Sequence, residues 1–299
     1  MKLHMFLFSA IILNNILLIA NADVSKPDKR QDSFIVNCVW NYPGGPDEQR
    51  LQKLGFNGQK ILMAYQFSLF SEQEIRNRYK NPSPEHLINV VVPNWKTNVP
   101  FPDQIHLDVE VPEWQIDPTR EKDEQKRLQN FEKFLIIINT VKKVLPPGAK
   151  ISYYNICTTW NHYITKGMLS PDELKKWQKN NNFYKDLIDA GNMLLPSFYT
   201  RETMSYEEWE FKSRQILAEC GRLKGEKPVY PYICPQYIDK PDTPMDQKVF
   251  RKQLDFLYNN ENCNGVILWM DIARQRKVNW DENAGWWKEA QDFVKGIRR

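Results

Sequence analysis

Beyond its first 22 residues the sequence contains no apolar run long enough to cross a bilayer, which takes about 20 residues. It has no Cys-x-x-Cys pair and only four scattered histidines, one of them His4, so a zinc site has little support and no metal is expected. Lys and Arg nowhere gather into a block, and a formal net charge of +4 argues against a nucleic-acid partner. No repeat or low-complexity tract interrupts the chain. The one Asn-x-Ser/Thr match, Asn81-Pro82-Ser83, is disqualified by its proline, so N-glycosylation is not expected.

What is present begins with a targeting signal. Lys2 precedes an apolar stretch from Met5 to Ile19, and Ala20-Asn21-Ala22 offers a small-residue cleavage site. Residues 1–22 are therefore expected to be a signal peptide, 23–33 a flexible segment and 34–299 one secreted domain without membrane insertion. Five cysteines (38, 157, 220, 234 and 263) would then meet an oxidising compartment. Disulfides are expected there, with at least one thiol left over and the pairing open.

Apolar, β-rich runs alternate with helix-periodic ones. Strands are expected at Phe34–Trp40, Lys60–Gln66, Leu87–Val92, Gln104–Glu110, Lys150–Ile156, Met193–Tyr199, Val229–Cys234 and Gly265–Met270. Helices are expected at Thr119–Leu145, from Ser170 to Gly191, at Ser205–Leu223, from Thr243 to Asn260 and from Trp280 to Ile297. Ser170-Pro171 supplies an N-cap followed by proline at the first helical position. Eight strands interleaved with helices point to an α/β fold, a (β/α)8 TIM-type barrel. The link from Pro93 to Asp103 is too short for a full helix, so a distorted barrel is anticipated.

Barrels of this kind carry their chemistry at the C-terminal strand ends. The fourth expected strand ends in Asp108-Val109-Glu110, and two-residue spacing puts both carboxyls on one face. Like charges that close raise one pKa, leaving a proton available near neutrality. Asp-x-Glu alone is short and common; a solvated strand end gives the same pattern. The other strand ends add Trp40, Tyr65-Gln66, Tyr153-Tyr154, Pro196 to Tyr199, Tyr232 and Trp269-Met270-Asp271. Flat side chains at nearly every end suit a cleft that stacks sugar rings, although single aromatics also fill cores.

These segments, in order, resemble the hyaluronidase family of glycoside hydrolases. Trp40-Asn41-Tyr42-Pro43 is similar to the family's Trp-Asn-x-Pro, and Asp108-Val109-Glu110 to its Asp-Trp-Glu. Tyr153-Tyr154 before Cys157, Pro196-Ser197-Phe198-Tyr199, Pro228 to Tyr232 and Gly265 to Trp269 match four further motifs. The chain departs at Val109, at Val111-Pro112 where the family continues Glu-Trp-Arg-Pro, and in lacking a Cys after the first strand. The resemblance implies substrate-assisted hydrolysis of an N-acetylhexosamine polysaccharide, hyaluronan- or chondroitin-like, without a cofactor. It implies Glu110 as general acid and base, Asp108 orienting the acetamido group, and Tyr199 donating to its oxygen. Tyr154 and Trp269 would hold the sugar, with Trp40, Tyr65, Tyr232 and Asp271 on the cleft wall, and Arg201 and Arg274 as possible cations for a polyanion. Two other readings remain open: a chitinase-like hydrolase, whose motif wants Asp where His106 stands, and a carbohydrate-binding barrel without catalysis.

Overall fold

The computed structural model describes residues 33–40, 44–77, 79–98, 100–158, 170–270 and 280–298. The expected signal peptide, the motif residues Asn41-Tyr42-Pro43, and Asp271 and Arg274 lie outside the described residues, as does the side chain of Trp40.

Parallel pairing runs through two sheets and the bridges between them. The strands are β1 (Ile35–Trp40), β2 (Ile61–Tyr65), β3 (Gln104–Asp108), β4 (Lys150–Tyr153), β5 (Tyr232–Ile233), the antiparallel hairpin β6 (Gln236–Tyr237) and β7 (Lys240–Pro244), and β8 (Gly265–Met270). One sheet has the order β2-β3-β4 and the other β1-β8-β5, both parallel. Parallel bridges Tyr154↔Leu195, Leu194↔Val229 and Ser197↔Tyr232 join the two through residues 194–197. Between β1 and β2 the contact is a strap: Asn57 N–H donates to Val36 O at 3.0 Å, and Val36 N–H to Asn57 Oδ1 at 2.7 Å. Gly265 is needed where β8 starts against β1, because a Cβ there would lie 2.3 Å from Ile35 O.

Seven parallel segments, not eight, thus form the barrel among the described residues. The missing strand is the expected Leu87–Val92, which is helical: Pro84–His86, Leu87–Val91 and Val92–Lys96 run on from a Ser83 cap whose Oγ accepts His86 N–H at 3.2 Å. The Ile/Val-rich run looks like a strand by composition. However, its buried positions Leu87, Val91, Val92 and Trp95 repeat at helical spacing, and Ser83-Pro84 is the same start signal as Ser170-Pro171. The short Pro93–Asp103 link is explained with it, since no strand precedes it.

Outer helices α1 (Glu124–Val144), α2 (Pro171–Asn181), α3 (Lys185–Ala190), α4 (Tyr206–Leu223), α5 (Gln247–Asn259) and α6 (Gly285–Ile297) follow the expected periodic runs, trimmed at their starts. Ser170 and Ser205 each close a capping box with Glu173 and Glu208. The main core lies between these helices and the outward strand faces, with Ile105, Leu107, Ile137, Ile138, Leu217, Leu254 and Trp287 almost fully buried. A second cluster fills the lumen: Met193, Leu195, Tyr230, Tyr232 and Ile267, flanked by Ile35, Val39, Ile61, Met63, Tyr154, Tyr199 and Trp269. Alternate residues of each strand face these two cores, as the pleat requires. No helix among the described residues is long and apolar enough to cross a membrane. All five cysteines are free thiols, so the expected disulfides are not formed in this structure.

Candidate active site

The lumen is layered from polar at its base to aromatic at its mouth. On β3 the inward residues are Gln104, His106 and Asp108, while Ile105 and Leu107 face the helices. At the base, Gln59 Oε1 accepts from Asn37 Nδ2 at 2.8 Å and from Gln104 Nε2 at 2.7 Å. Gln104 therefore turns its Oε1 to His106 Nε2, 2.9 Å away, which makes that ring nitrogen the donor. Nδ1 is left as an acceptor, and the Tyr232 hydroxyl donates to it. Burial holds the imidazole neutral by pulling its pKa from 6.5 down to about 3. Tyr232 is fully buried, and Met63 Sδ lies 3.1 Å from its hydroxyl.

Above this floor lies the ring of strand ends. Asp108 closes β3 and pairs in register with Tyr65 at the end of β2. Its carboxyl is half-buried, and burial first, then the Glu110 charge, raises its pKa from 3.8 to about 7. Glu110, two residues on, is exposed; its backbone N–H donates to Gln66 Oε1 at 3.3 Å. The raised group is Asp108, the more buried member, and burial outweighs the like charge that the sequence spacing pointed to.

Three tyrosines and a tryptophan complete the constellation. Tyr154 N–H donates to Leu107 O at 2.9 Å, which fixes it beside β3. Its ring meets Tyr232 edge-on at 5.0 Å and Tyr199 at 6.2 Å. Ser197 and Tyr199 hydrogen-bond its hydroxyl, and burial raises its pKa, with Asp108 and Glu110 adding to the rise. Tyr199, itself raised chiefly by burial, stacks on Trp269 with centroids 5.1 Å apart and planes 25° off parallel. Asp108, Glu110, Tyr65, Tyr154, Tyr199 and Trp269 are thus gathered at one mouth. Tyr232 is not on the wall: its buried ring and downward hydroxyl make it floor. Arg201 is exposed beyond Tyr199.

Sequence reasoning named Gln66 and Ser197 at strand ends without giving them a role, and missed His106 as part of this arrangement. The signal for His106 was the alternation itself, since Gln104, His106 and Asp108 are polar at every second position of an apolar strand. A surface groove of about 660 Å³ between α4 and α5 is a different place. Its rings are already covered, Phe256 by Arg214 and Tyr206 by Lys252.

No protein-family model matches the chain, and no curated protein matches it by sequence. Solved structures do. Bee venom hyaluronidase superposes with a TM-score of 0.56 at 17% identity, over 89% of this chain and 100% of that one. The same bee enzyme in complex with a hyaluronic acid tetramer gives 0.54 at 17% identity, over 89% and 96%. The fold of this chain is that of a hyaluronidase-like glycoside hydrolase.

Proposed function

We propose that the protein is a secreted glycoside hydrolase that cuts N-acetylhexosamine-containing polysaccharide with help from the substrate's own acetamido group. The observation that supports this most is the Asp108–Glu110 pair at the end of β3, with the Asp108 pKa raised to about 7, beside the Tyr154, Tyr199 and Trp269 rings. Glu110 protonates the glycosidic oxygen while the acetamido carbonyl oxygen attacks the anomeric carbon. The leaving sugar departs with that proton. Glu110, now a carboxylate, then takes a proton from the water that opens the cyclic intermediate. Asp108 orients the acetamido group and balances its developing positive charge.

In the open site Asp108 holds a proton up to about neutral pH. The cationic intermediate favours Asp108 as the anion. Tyr199 donates to the acetamido oxygen once a ligand draws it from Tyr154, and Trp269 closes on the methyl. Tyr65 lines the wall; Trp40 and Asp271 are assigned to it by residue type and position alone. The bee structure's hyaluronic acid tetramer motivates hyaluronan and chondroitin as first substrates. Reducing-sugar release and binding measured across hyaluronan, chondroitin and chitin oligosaccharides test the assignment, with cleavage of at least one expected. A second reading, carbohydrate binding without turnover, is favoured by Val109 and Val111 beside the pair; binding without any cleavage over long incubation would establish it.

A further inference from the structure

Phe67 is the most exposed of the large apolar side chains among the described residues, at 64%, and its neighbour Gln66 bonds to the Glu110 backbone. It belongs to the four-residue helix Gln66–Leu69 that follows β2, where Leu69 supplies the buried anchor. Phe67 adds nothing to that anchor. Its ring instead lies against Tyr65, with centroids 5.3 Å apart and planes 13° off parallel. One face of the phenyl ring is therefore backed by a tyrosine, and the ring keeps most of its surface open to solvent. A single exposed apolar residue needs no explanation. A rigid pair of parallel rings tied to the reacting groups does.

The tie runs through three consecutive residues. Tyr65 is in register with Asp108, Gln66 Oε1 accepts the Glu110 N–H at 3.3 Å, and Phe67 follows directly. Ser68 fastens the turn by donating from Oγ to Tyr65 O at 2.7 Å. The turn that carries Phe67 is thus linked to the Glu110 backbone through the Gln66 side chain. Flat aromatic faces take up the apolar C–H face of a pyranose, whose hydroxyls stay in water at the ring edge. The site is then longer than one sugar.

Resting on the glycan reading above, we propose that Phe67, backed by Tyr65, is the platform of a separate sugar subsite, which holds a ring next to the one at Glu110 and gives the protein a preference for longer oligosaccharides. Tyr65 belongs to both rings' environments; Phe67 serves the second. The platform is uncharged, so it accepts a neutral or an acidic sugar by its apolar face. An aromatic contact of this kind contributes roughly 3- to 10-fold in affinity.

The test uses the full-length protein carrying Glu110→Gln, so that bound oligosaccharides are not consumed. Titration calorimetry compares disaccharides with hexasaccharides derived from hyaluronan and from chitin, with and without Phe67→Ala. The expected result is a hexasaccharide affinity about 3- to 10-fold weaker in the Phe67→Ala protein, with disaccharide affinity unchanged. Phe67→Leu keeps the apolar bulk and guards against a folding defect; it is expected to show the same selective loss, and Phe67→Trp to restore affinity. Equal affinities with and without Phe67→Ala overturn the platform while leaving the glycan reading intact. Equal weakening for both lengths also overturns it, because Phe67 would then act only by bracing Tyr65. If Glu110→Gln protein binds no oligosaccharide of either kind, both this proposal and the reading beneath it fail.

Discussion

Replacing Asp108 with asparagine should make the protein more stable at neutral pH and slightly alkaline pH while removing its activity. Burial and the Glu110 charge raise the folded-state pKa of Asp108 from 3.8 to about 7. Between those values the folded chain binds a proton that the unfolded chain does not. Stability from this group is therefore highest in acid and falls as pH rises from about 4 to about 7, after which the loss is complete. Each pH unit is worth about 1.4 kcal/mol, which sets a ceiling of about 4 kcal/mol at pH 8. Solvent around a half-buried carboxyl reduces this to roughly 2–4 kcal/mol, since screening weakens the interaction. Asp108→Asn keeps the shape and removes the charge, so thermal unfolding by circular dichroism at pH 8 should show a Tm higher by about 5–10 °C. At pH 4 the difference should vanish. His106 complicates the wild-type curve in an instructive way, because its pKa falls from 6.5 to about 3 and its contribution rises with pH over that range. The two slopes oppose each other, and the substitution should unmask the histidine's. A Tm at pH 8 equal to or below wild type would refute the reasoning.

Other outcomes follow from the same geometry. If Asp108 must begin the reaction protonated, hydrolysis should fall about tenfold per pH unit above pH 7, read from kcat/KM against pH; a rate flat to pH 9 would contradict that requirement. His106→Val removes the acceptor of the Tyr232 hydroxyl and the donor to Gln104, and should destabilise by about 1–3 kcal/mol per orphaned group in urea unfolding. The acid-side loss of stability below pH 6.5 should weaken in the same variant, because no imidazole is left to be protonated on unfolding. Trp287→Ala, in the helix–strand core, should cost about 3–5 kcal/mol with the site's chemistry untouched in the remaining folded protein.

Much of the barrel was legible because parallel strands buried on both faces leave apolar runs, and because serine caps mark helix starts in plain sequence. The miscounted strand shows the limit. Leu87–Val92 carries strand-like composition, yet Ser83-Pro84 starts a helix there, which leaves seven parallel segments among the described residues. At the site, two-residue spacing put Asp108 and Glu110 on one face, while strand-end position and the family resemblance named Tyr65, Tyr154, Tyr199 and Trp269. It could not tell wall from floor. Tyr232 and His106 face the same lumen as the others, but one layer lower, where their hydrogen bond and complete burial remove them from any ligand. Nor could spacing decide which carboxyl takes the proton; that follows from relative burial, which only the folded chain sets.

In the proposed mechanism Glu110 transfers the proton that breaks a glycosidic bond. Initial rates of reducing-end release from hyaluronan, measured for wild type and Glu110→Gln side by side, test it most directly. A loss of about 100-fold or more is expected, with an unchanged Tm. A wild-type enzyme that cleaves and a Glu110→Gln enzyme that cleaves at a similar rate would contradict it.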